Sequence, residues 1–298
     1  MGWKLASQLR IPNFHTTNIS MFLLFDIGGT KMRLAVSKDC KEILSFQVFD
    51  TPLGFKEAIK IIANYWQKVG SNAKLTAVVG GVAGVFNKEK TRLFKSPNLP
   101  EWEGEPLKEG LEKLLESKVY LENDTALAGL AEAVKGSGKG YSINAYITIG
   151  TGVGGVRIVN QKIDKNIFGF EPGHQIIDAD SSITGKFLDL EGLVGGSGIK
   201  KRFGKNPEEI NDEKIWNEIT KLLAIGLANT ILHWSPGVVI LGGGIIQSEK
   251  VSWEKLKNYL QEYLKIFPRV PEIKKSLLGD KGGLEGALVY LNEFRQTI

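Results

Sequence analysis

The chain of 298 residues has one cysteine, Cys40, and only three histidines. A single thiol closes no intramolecular disulfide, and so few Cys and His side chains leave no Cys/His cluster for a structural zinc. A reducing, cytoplasmic setting is expected. No apolar run approaches the ~18 residues needed to span a bilayer, so a membrane partner is not expected. Charge of one sign is also not in marked excess: 38 Lys+Arg face 33 Asp+Glu, net +5, and the basic residues are scattered along the chain. Such scatter reads as an ordinary Lys-rich surface, with no nucleic-acid partner. What remains is a globular composition, 42 % hydrophobic and 24 % charged, long enough for two modest cores.

The first twenty residues carry Lys4 and Arg10, no acid, and no apolar stretch of the secretory kind. Ala6 stands where a myristoylation pattern has Ser or Thr. Residues 1–20 therefore read as a loose extension, with the fold starting at Met21.

From Met21 the pattern is an alternation of strands and helices. Phe22–Phe25 is an apolar run that ends in Asp26-Ile-Gly-Gly-Thr-Lys31, after which Met32, Leu34 and Val36 alternate with Arg33 and Ala35. This is strand, glycine turn, strand. Residues 55–68 place Ala58, Ile61, Ile62, Tyr65 and Trp66 at helical spacing, Leu75–Val79 is a buried strand, and 96–104 is a loop with two prolines. Val119–Leu121 is a short strand, and Asn123 or Asp124 would cap a helix over 125–134.

The second half repeats the opening. Asn144–Ile149 is a strand, Gly150-Thr-Gly-Val-Gly-Gly155 a glycine turn, and Val156–Val159 a returning strand. Setting Arg33 on Arg157 superimposes the two units, as a duplicated domain would. A helix over about 214–234, a strand Val238–Leu241, the turn Gly242-Gly-Gly244, a helix with Leu256, Leu260 and Leu264 on one face, and a last helix with Ala287, Leu288 and Leu291 complete the chain.

Gly150–Gly155 fits the dinucleotide pattern G-x-G-x-x-G, but that fingerprint must open a helix, and here a strand follows. Gly28-Gly-Thr-Lys31 does not have P-loop spacing. Two glycine hairpins can nevertheless cradle a polyphosphate, because without side chains their backbone N–H groups approach phosphate oxygens closely. Taken alone, each is equally well a plain β-turn.

Asp26-Ile-Gly-Gly-Thr-Lys31, Glu122-Asn-Asp124, Gly150-Thr-Gly-Val-Gly154, Glu171-Pro-Gly-His174 and Leu241-Gly-Gly-Gly244, in this order, resemble the motifs of the ROK sugar kinases. The resemblance covers Met21 to the C-terminus. It implies an α/β fold of duplicated actin/hexokinase-like (ribonuclease H-like) domains with a sugar/ATP cleft between them, divided as 21–124 plus 284–298 and 125–283. It implies ATP-dependent phosphorylation of a hexose hydroxyl, glucose to glucose 6-phosphate first, with N-acetylmannosamine, N-acetylglucosamine, allose and fructose open, and a homodimer. By the same resemblance Gly28, Gly29, Thr30 and Lys31 form one phosphate hairpin and Asp26 holds Mg²⁺ through water. Gly150, Thr151, Gly152 and Gly154 form the other hairpin, and Gly242, Gly243 and Gly244 the adenosine loop. Asn98, Asn123, Asp124, Glu171, His174 and Glu191 match the hydroxyl-binding positions, with Asp124 as the base. A hexose ring of donor-acceptor hydroxyls suits such side chains. At a helix N-terminus, the ionised form of Asp124 is expected to be favoured.

Two features depart from the family pattern. Many members carry a zinc loop, Cys-x-Cys-Gly-x-x-Gly-Cys, after the histidine matching His174; residues 179–190 here contain no cysteine. No zinc is expected, and the rigidity of the Glu191 region falls to packing. Pro172, where an aliphatic residue is usual, fixes the backbone beside Glu171 and is expected to shift it. A sugar-responsive repressor of the same family would need a helix-turn-helix domain, for which twenty residues before Met21 are too few. A non-catalytic sugar sensor would lack the base, whereas Asp26 and Asp124 are both present.

Overall fold

A computed structural model describes residues 19–70, 73–179, 181–183, 185 and 188–294. The extension expected over 1–20 falls, up to residue 18, outside the described residues. Ile19 and Ser20 already belong to the first strand, where they pair with Ala73 and Lys74. Strand β1 thus includes the two residues before Met21, because the neighbouring strand is long enough to pair with them.

Contacts divide the chain into two units, Met1–Leu127 with Gly283–Ile298, and Ala128–Gly282. In the first, β1 (Ile19–Ile27), β2 (Lys31–Ser37), β3 (Ser45–Asp50), α1 (Phe55–Val69), β4 (Ala73–Val82), the short β5 (Val85–Phe86) and β6 (Leu93–Lys95), α2 (Leu107–Leu115) and β7 (Val119–Asn123) follow in order, and α3 (Asp124–Val134) runs on from it across the boundary at Leu127. The main sheet runs β3-β2-β1-β4-β7, antiparallel through β1–β2–β3 and parallel through β1–β4–β7.

The second unit holds β8 (Ile143–Ile149), β9 (Val153–Val159), β10 (Lys162–Ile163), β11 (Ile176–Asp178), β12 (Leu188–Asp189), α4 (Leu190–Val194), α5 (Gly196–Phe203), α6 (Glu213–Trp234), β13 (Val238–Gly242), α7 (Gly244–Gln247), α8 (Trp253–Tyr263) and β14 (Glu272–Lys275). The last helix, α9 (Gly282–Phe294), returns the chain to the first unit. The second sheet runs β10-β9-β8-β13-β14 with the same sequence of antiparallel and parallel neighbours as the first. The duplication visible around Arg33 and Arg157 extends to whole sheets.

Each sheet is sealed by helices whose apolar spacing matches one face. In the first unit, Ala58 and Ile62 of α1 and Leu107, Leu111 and Leu115 of α2 pack on Phe25, Leu34 and Val78. The opposite face takes Leu127 of α3 and Leu284, Leu288 and Leu291 of α9. In the second, Ile219, Leu223 and Leu227 of α6 and Leu256 and Leu260 of α8 cover Ile147, Val239 and Leu241. Each such burial is worth about 1.5–3 kcal/mol, and together they hold the strand ends from which the glycine turns project. α6 starts at Asp212, whose carboxylate accepts the Lys214 N–H, and stops where Ser235 turns left-handed before Pro236.

Candidate active site

In the first unit the turn between β1 and β2 is closed by Gly28 N–H to Lys31 O at 3.0 Å. Thr51, which the sequence reading passes over, ties this turn from one side: its Oγ1 donates to Gly28 O at 2.8 Å and its N–H to Thr30 O at 3.0 Å. In a planar trans peptide the C=O and the following N–H point oppositely, so with Gly28 O facing Thr51 the Gly29 N–H is aimed away from it. A Cβ on Gly29 would stand 2.7 Å from Asn98 Cβ, so Asn98 rests directly on this turn. Lys31 is placed differently from a phosphate ligand: its Nζ lies 2.5 Å from Asp50 Oδ1 in an exposed ion pair, an arrangement that costs little to open.

Asp26, at the end of β1, has a side chain only 13 % exposed and lies 3.5 Å from an Arg33 guanidinium nitrogen. Gly283, at the start of α9, approaches so closely that a Cβ there would meet Asp26 Cγ at 2.4 Å.

At the end of β7, Asn123 makes the helix cap: its Oδ1 accepts the Ala126 N–H at 3.0 Å and its Nδ2 donates to Gly84 O at 3.1 Å. Of the two candidates for the cap, Asn123 fills it, and Asp124 is the first residue of α3. Glu122 is buried, accepts the Asn123 N–H at 3.0 Å and pairs with Lys90. Asp124 Oδ1 accepts the Thr125 N–H at 2.8 Å. The helix terminus does not decide its charge. Loss of hydration among the surrounding residues outweighs the hydrogen bonds and pushes the carboxyl up to about 6, contrary to the expectation of a favoured ionised form. It is still mostly a carboxylate at neutral pH.

The second unit builds its turn by a parallel device. The carbonyls of Gly150 and Thr151 accept N–H groups of Gly196 and Ser197 at the start of α5, at 2.8 and 2.9 Å. The N–H groups of Thr151 and Gly152 therefore point away from α5. β9 begins at Val153, so this is a hairpin, as the missing helix requires. Gly154 lies within that strand opposite Thr148, and not in the turn where the sequence reading placed it. Glu191 Oε2 accepts the Val153 N–H at 2.7 Å, and a Cβ on Gly152 would meet the same oxygen at 2.3 Å.

Pro172 begins a short 3₁₀ turn over Pro172–His174. It is buried, with its ring packed over Gly155 of β9, while Glu171 and His174 stand exposed beside it. His174 Nδ1 lies 2.8 Å from Asp189 Oδ2, an acid that the sequence reading did not single out. The rigidity of the Glu191 region thus comes from polar contacts and from β11–β12 pairing as well as from packing. Between β13 and α7, Gly243 has φ +88°, and a Cβ there would stand 2.2 Å from Ile149 O, so only glycine fits. Gly242 and Gly244 flank it as the end of β13 and the start of α7.

Among the described residues no group of three or more His, Cys, Asp and Glu is placed to hold a metal ion. A Mg²⁺ accompanying a polyphosphate needs only one or two carboxylates, the rest of its shell being phosphate oxygen and water, and Asp26 is suited to that part. Hemmed in by Arg33 and Gly283, its carboxylate fits contact through water. No helix among the described residues is long and apolar enough to cross a membrane.

Comparison with known proteins places the fold in a family. Residues 23–293 match the model of the ROK family. The chain is 28 % identical over 302 residues to the N-acetyl-D-glucosamine kinase of Histophilus somni, covering 90 % of this chain and 97 % of that one. It is 27 % identical to the glucokinase of Streptomyces coelicolor, covering 88 % and 94 %. Its fold matches the crystal structure of the ROK hexokinase from Thermus thermophilus with a TM-score of 0.79 at 27 % identity, over 92 % of this chain and 99 % of that one. The duplicated sheets, the two hairpins and the match over residues 23–293 identify the chain as a member of the ROK family.

Proposed function

We propose that this protein is an ATP-dependent sugar kinase that phosphorylates a hexose hydroxyl, with glucose as the first substrate. The observation that carries the reading is the same in both units. In each, a side chain suited to sugar hydroxyls rests on a glycine of a hairpin suited to phosphate: Asn98 on Gly29, and Glu191 on Gly152. Hydroxyl and phosphate recognition are thereby adjacent, which a transfer between ATP and a sugar requires.

In the reaction the sugar hydroxyl oxygen forms a bond to the γ-phosphorus and the bond from that phosphorus to the β,γ-bridging oxygen breaks. ADP leaves, and the hydroxyl proton passes to Asp124. Asp124 suits this role because at neutral pH it is ionised, yet less hydrated than a surface acid. The N–H groups of Gly29, Thr151 and Gly152 are aimed to receive phosphate oxygens. Mg²⁺, held by Asp26 through water, would supply neutralisation of phosphate charge. Asn98, Glu171, His174 and Glu191 would orient the sugar, and Gly242–Gly244 would face the adenosine.

The relatives named above include both a glucokinase and an N-acetyl-D-glucosamine kinase, and one acetamido group is admitted or refused by small displacements of a loop. A coupled assay with ATP, Mg²⁺ and a panel of hexoses and N-acetylhexosamines tests the reading. ADP release that depends on one sugar, with glucose giving the highest kcat/KM, is the expected result. A higher kcat/KM on an N-acetylhexosamine would replace glucose, and no sugar-dependent ADP release at all would leave a non-catalytic sugar sensor.

A further inference from the structure

The turn that carries Glu171 and His174 and the helix that carries Glu191 share one acid. Asp189, the last residue of β12, gives each carboxylate oxygen a different partner. Oδ1 accepts the Gly192 N–H at 2.8 Å and so starts α4, two residues before Glu191. Oδ2 lies 2.8 Å from His174 Nδ1. The backbone beside the pair is fixed as well: Leu190 N–H donates to Gln175 O at 2.9 Å, and Ile176 pairs with Asp189 across β11–β12. The side chains of His174 and Asp189 are 50 % and 27 % exposed, so water competes for this bond only in part.

An ionised carboxylate can only accept, so His174 Nδ1 must carry a hydrogen. The ring then turns its other nitrogen, Nε2, to the outside, as an acceptor when neutral and a second donor when charged. The charged groups facing the imidazole are Asp189, Glu191 and Glu171; the bond to Asp189 foremost, against the opposing effect of burial, raises His174 above the ordinary histidine range.

The geometry points to Asp189 as the positioning residue of the sugar site: one carboxylate sets both the tautomer and tilt of His174 and the first turn of the helix presenting Glu191. Its catalytic consequence rests on the sugar-kinase reading above. Neither His174 nor α4 can shift by about an ångström without lengthening a bond to the same side chain, so the two sugar contacts hold a common geometry. Discrimination among hydroxyl patterns depends on that geometry.

Two variants separate the duties of Asp189. Asp189→Ser keeps an oxygen to cap α4 but is too short to reach the ring. Asp189→Asn keeps the length but has a single oxygen for two donors. Long-range ¹H–¹⁵N NMR of the full-length protein, with His174 assigned through His174→Gln, reads tautomer and titration without any turnover. The parent should show His174 protonated at Nδ1 with a raised titration midpoint. Both variants should lower that midpoint and move the neutral ring toward the Nε2–H form. Sugar KM should rise by at least ~10-fold, the scale of one lost charged hydrogen bond, with kcat changed far less. Unchanged tautomer and midpoint in the two variants would overturn the proposal. Failure of the parent to phosphorylate any hexose would instead overturn the functional reading, and the NMR comparison would still decide the role of Asp189.

Discussion

Glu191 occupies the space that a side chain on Gly152 would need: a Cβ there would stand 2.3 Å from Glu191 Oε2, the oxygen that accepts the Val153 N–H at 2.7 Å. The residue proposed to bind sugar thus also fixes the turn proposed to bind phosphate. Gly152→Ala should push the flexible end of Glu191 aside and break that bond. Because the displaced atom is a side-chain terminus, the fold should survive. Loss of one charged hydrogen bond predicts a fall in kcat/KM for sugar of about 10- to 100-fold. Steady-state kinetics on the purified variant, with a melting curve as control, measure this.

Thr51 plays the corresponding part in the first unit, holding Gly28 O with its hydroxyl and Thr30 O with its N–H. Thr51→Val removes only the hydroxyl bond. Melting temperature should drop by about 1–4 °C, the effect of roughly 1 kcal/mol in a chain of this size. KM for ATP should rise several-fold while KM for sugar stays near the parent value, which a two-substrate kinetic analysis resolves.

Much of this arrangement is legible in the sequence. The glycine turns announce themselves because a turn with close approach needs glycine, and Asp26, Glu171 and His174 stand near glycines, whereas Asp124 is marked by its place at a strand-to-helix junction. Local signals gave α1, β8 and α6 closely, since each has a clear apolar period. Three leucines at four-residue spacing, Leu107, Leu111 and Leu115, carry a helical signal for α2 that the sequence reading passes over between the 96–104 loop and the strand at Val119. β3 and β14 are harder to see: both are edge strands, β3 alternating half-buried and exposed residues and β14 holding Lys274 and Lys275. Thr51 and Asp189 were invisible for another reason. Their roles are made by partners 23 and 15 residues away, and nothing in local composition marks a threonine or aspartate for such a contact. The pull on Asp124 has the same origin, because burial depends on the tertiary surroundings while the helix end is local.

The raised carboxyl of Asp124 predicts two pH dependences. As the base must be ionised, kcat/KM should rise about tenfold per pH unit below about 6 and level off above it. Stability should move the other way. The folded protein holds this proton up to about 6 and the unfolded chain only to its ordinary value of 3.8. Asp124 therefore lowers stability as pH rises between those values, and the loss is complete above them. Asp124→Asn lacks this loss, so its melting temperature relative to the parent should be higher at pH 7.5 than at pH 4.

Metal dependence is a fourth expectation. With Asp26 proposed to hold Mg²⁺ through water, and no cysteine outside Cys40, EDTA should abolish turnover and Mg²⁺ alone should restore it. Elemental analysis of the purified protein should give no stoichiometric zinc. One tightly held zinc per chain would require a different account of residues 179–190.

The kinetics of Asp124→Asn test the proposed role of Asp124 as the base most directly. Asn123 supplies the cap of α3, so the substitution leaves the helix start intact, preserves size and keeps an oxygen for the Thr125 N–H. The variant should fold normally, bind sugar and ATP with affinities near those of the parent, and lose at least ~10² in kcat, the usual range for a positioned base. Turnover within a few-fold of the parent, in a variant shown to be folded, would contradict the assignment and return Asp124 to the role of a half-buried helix-end acid.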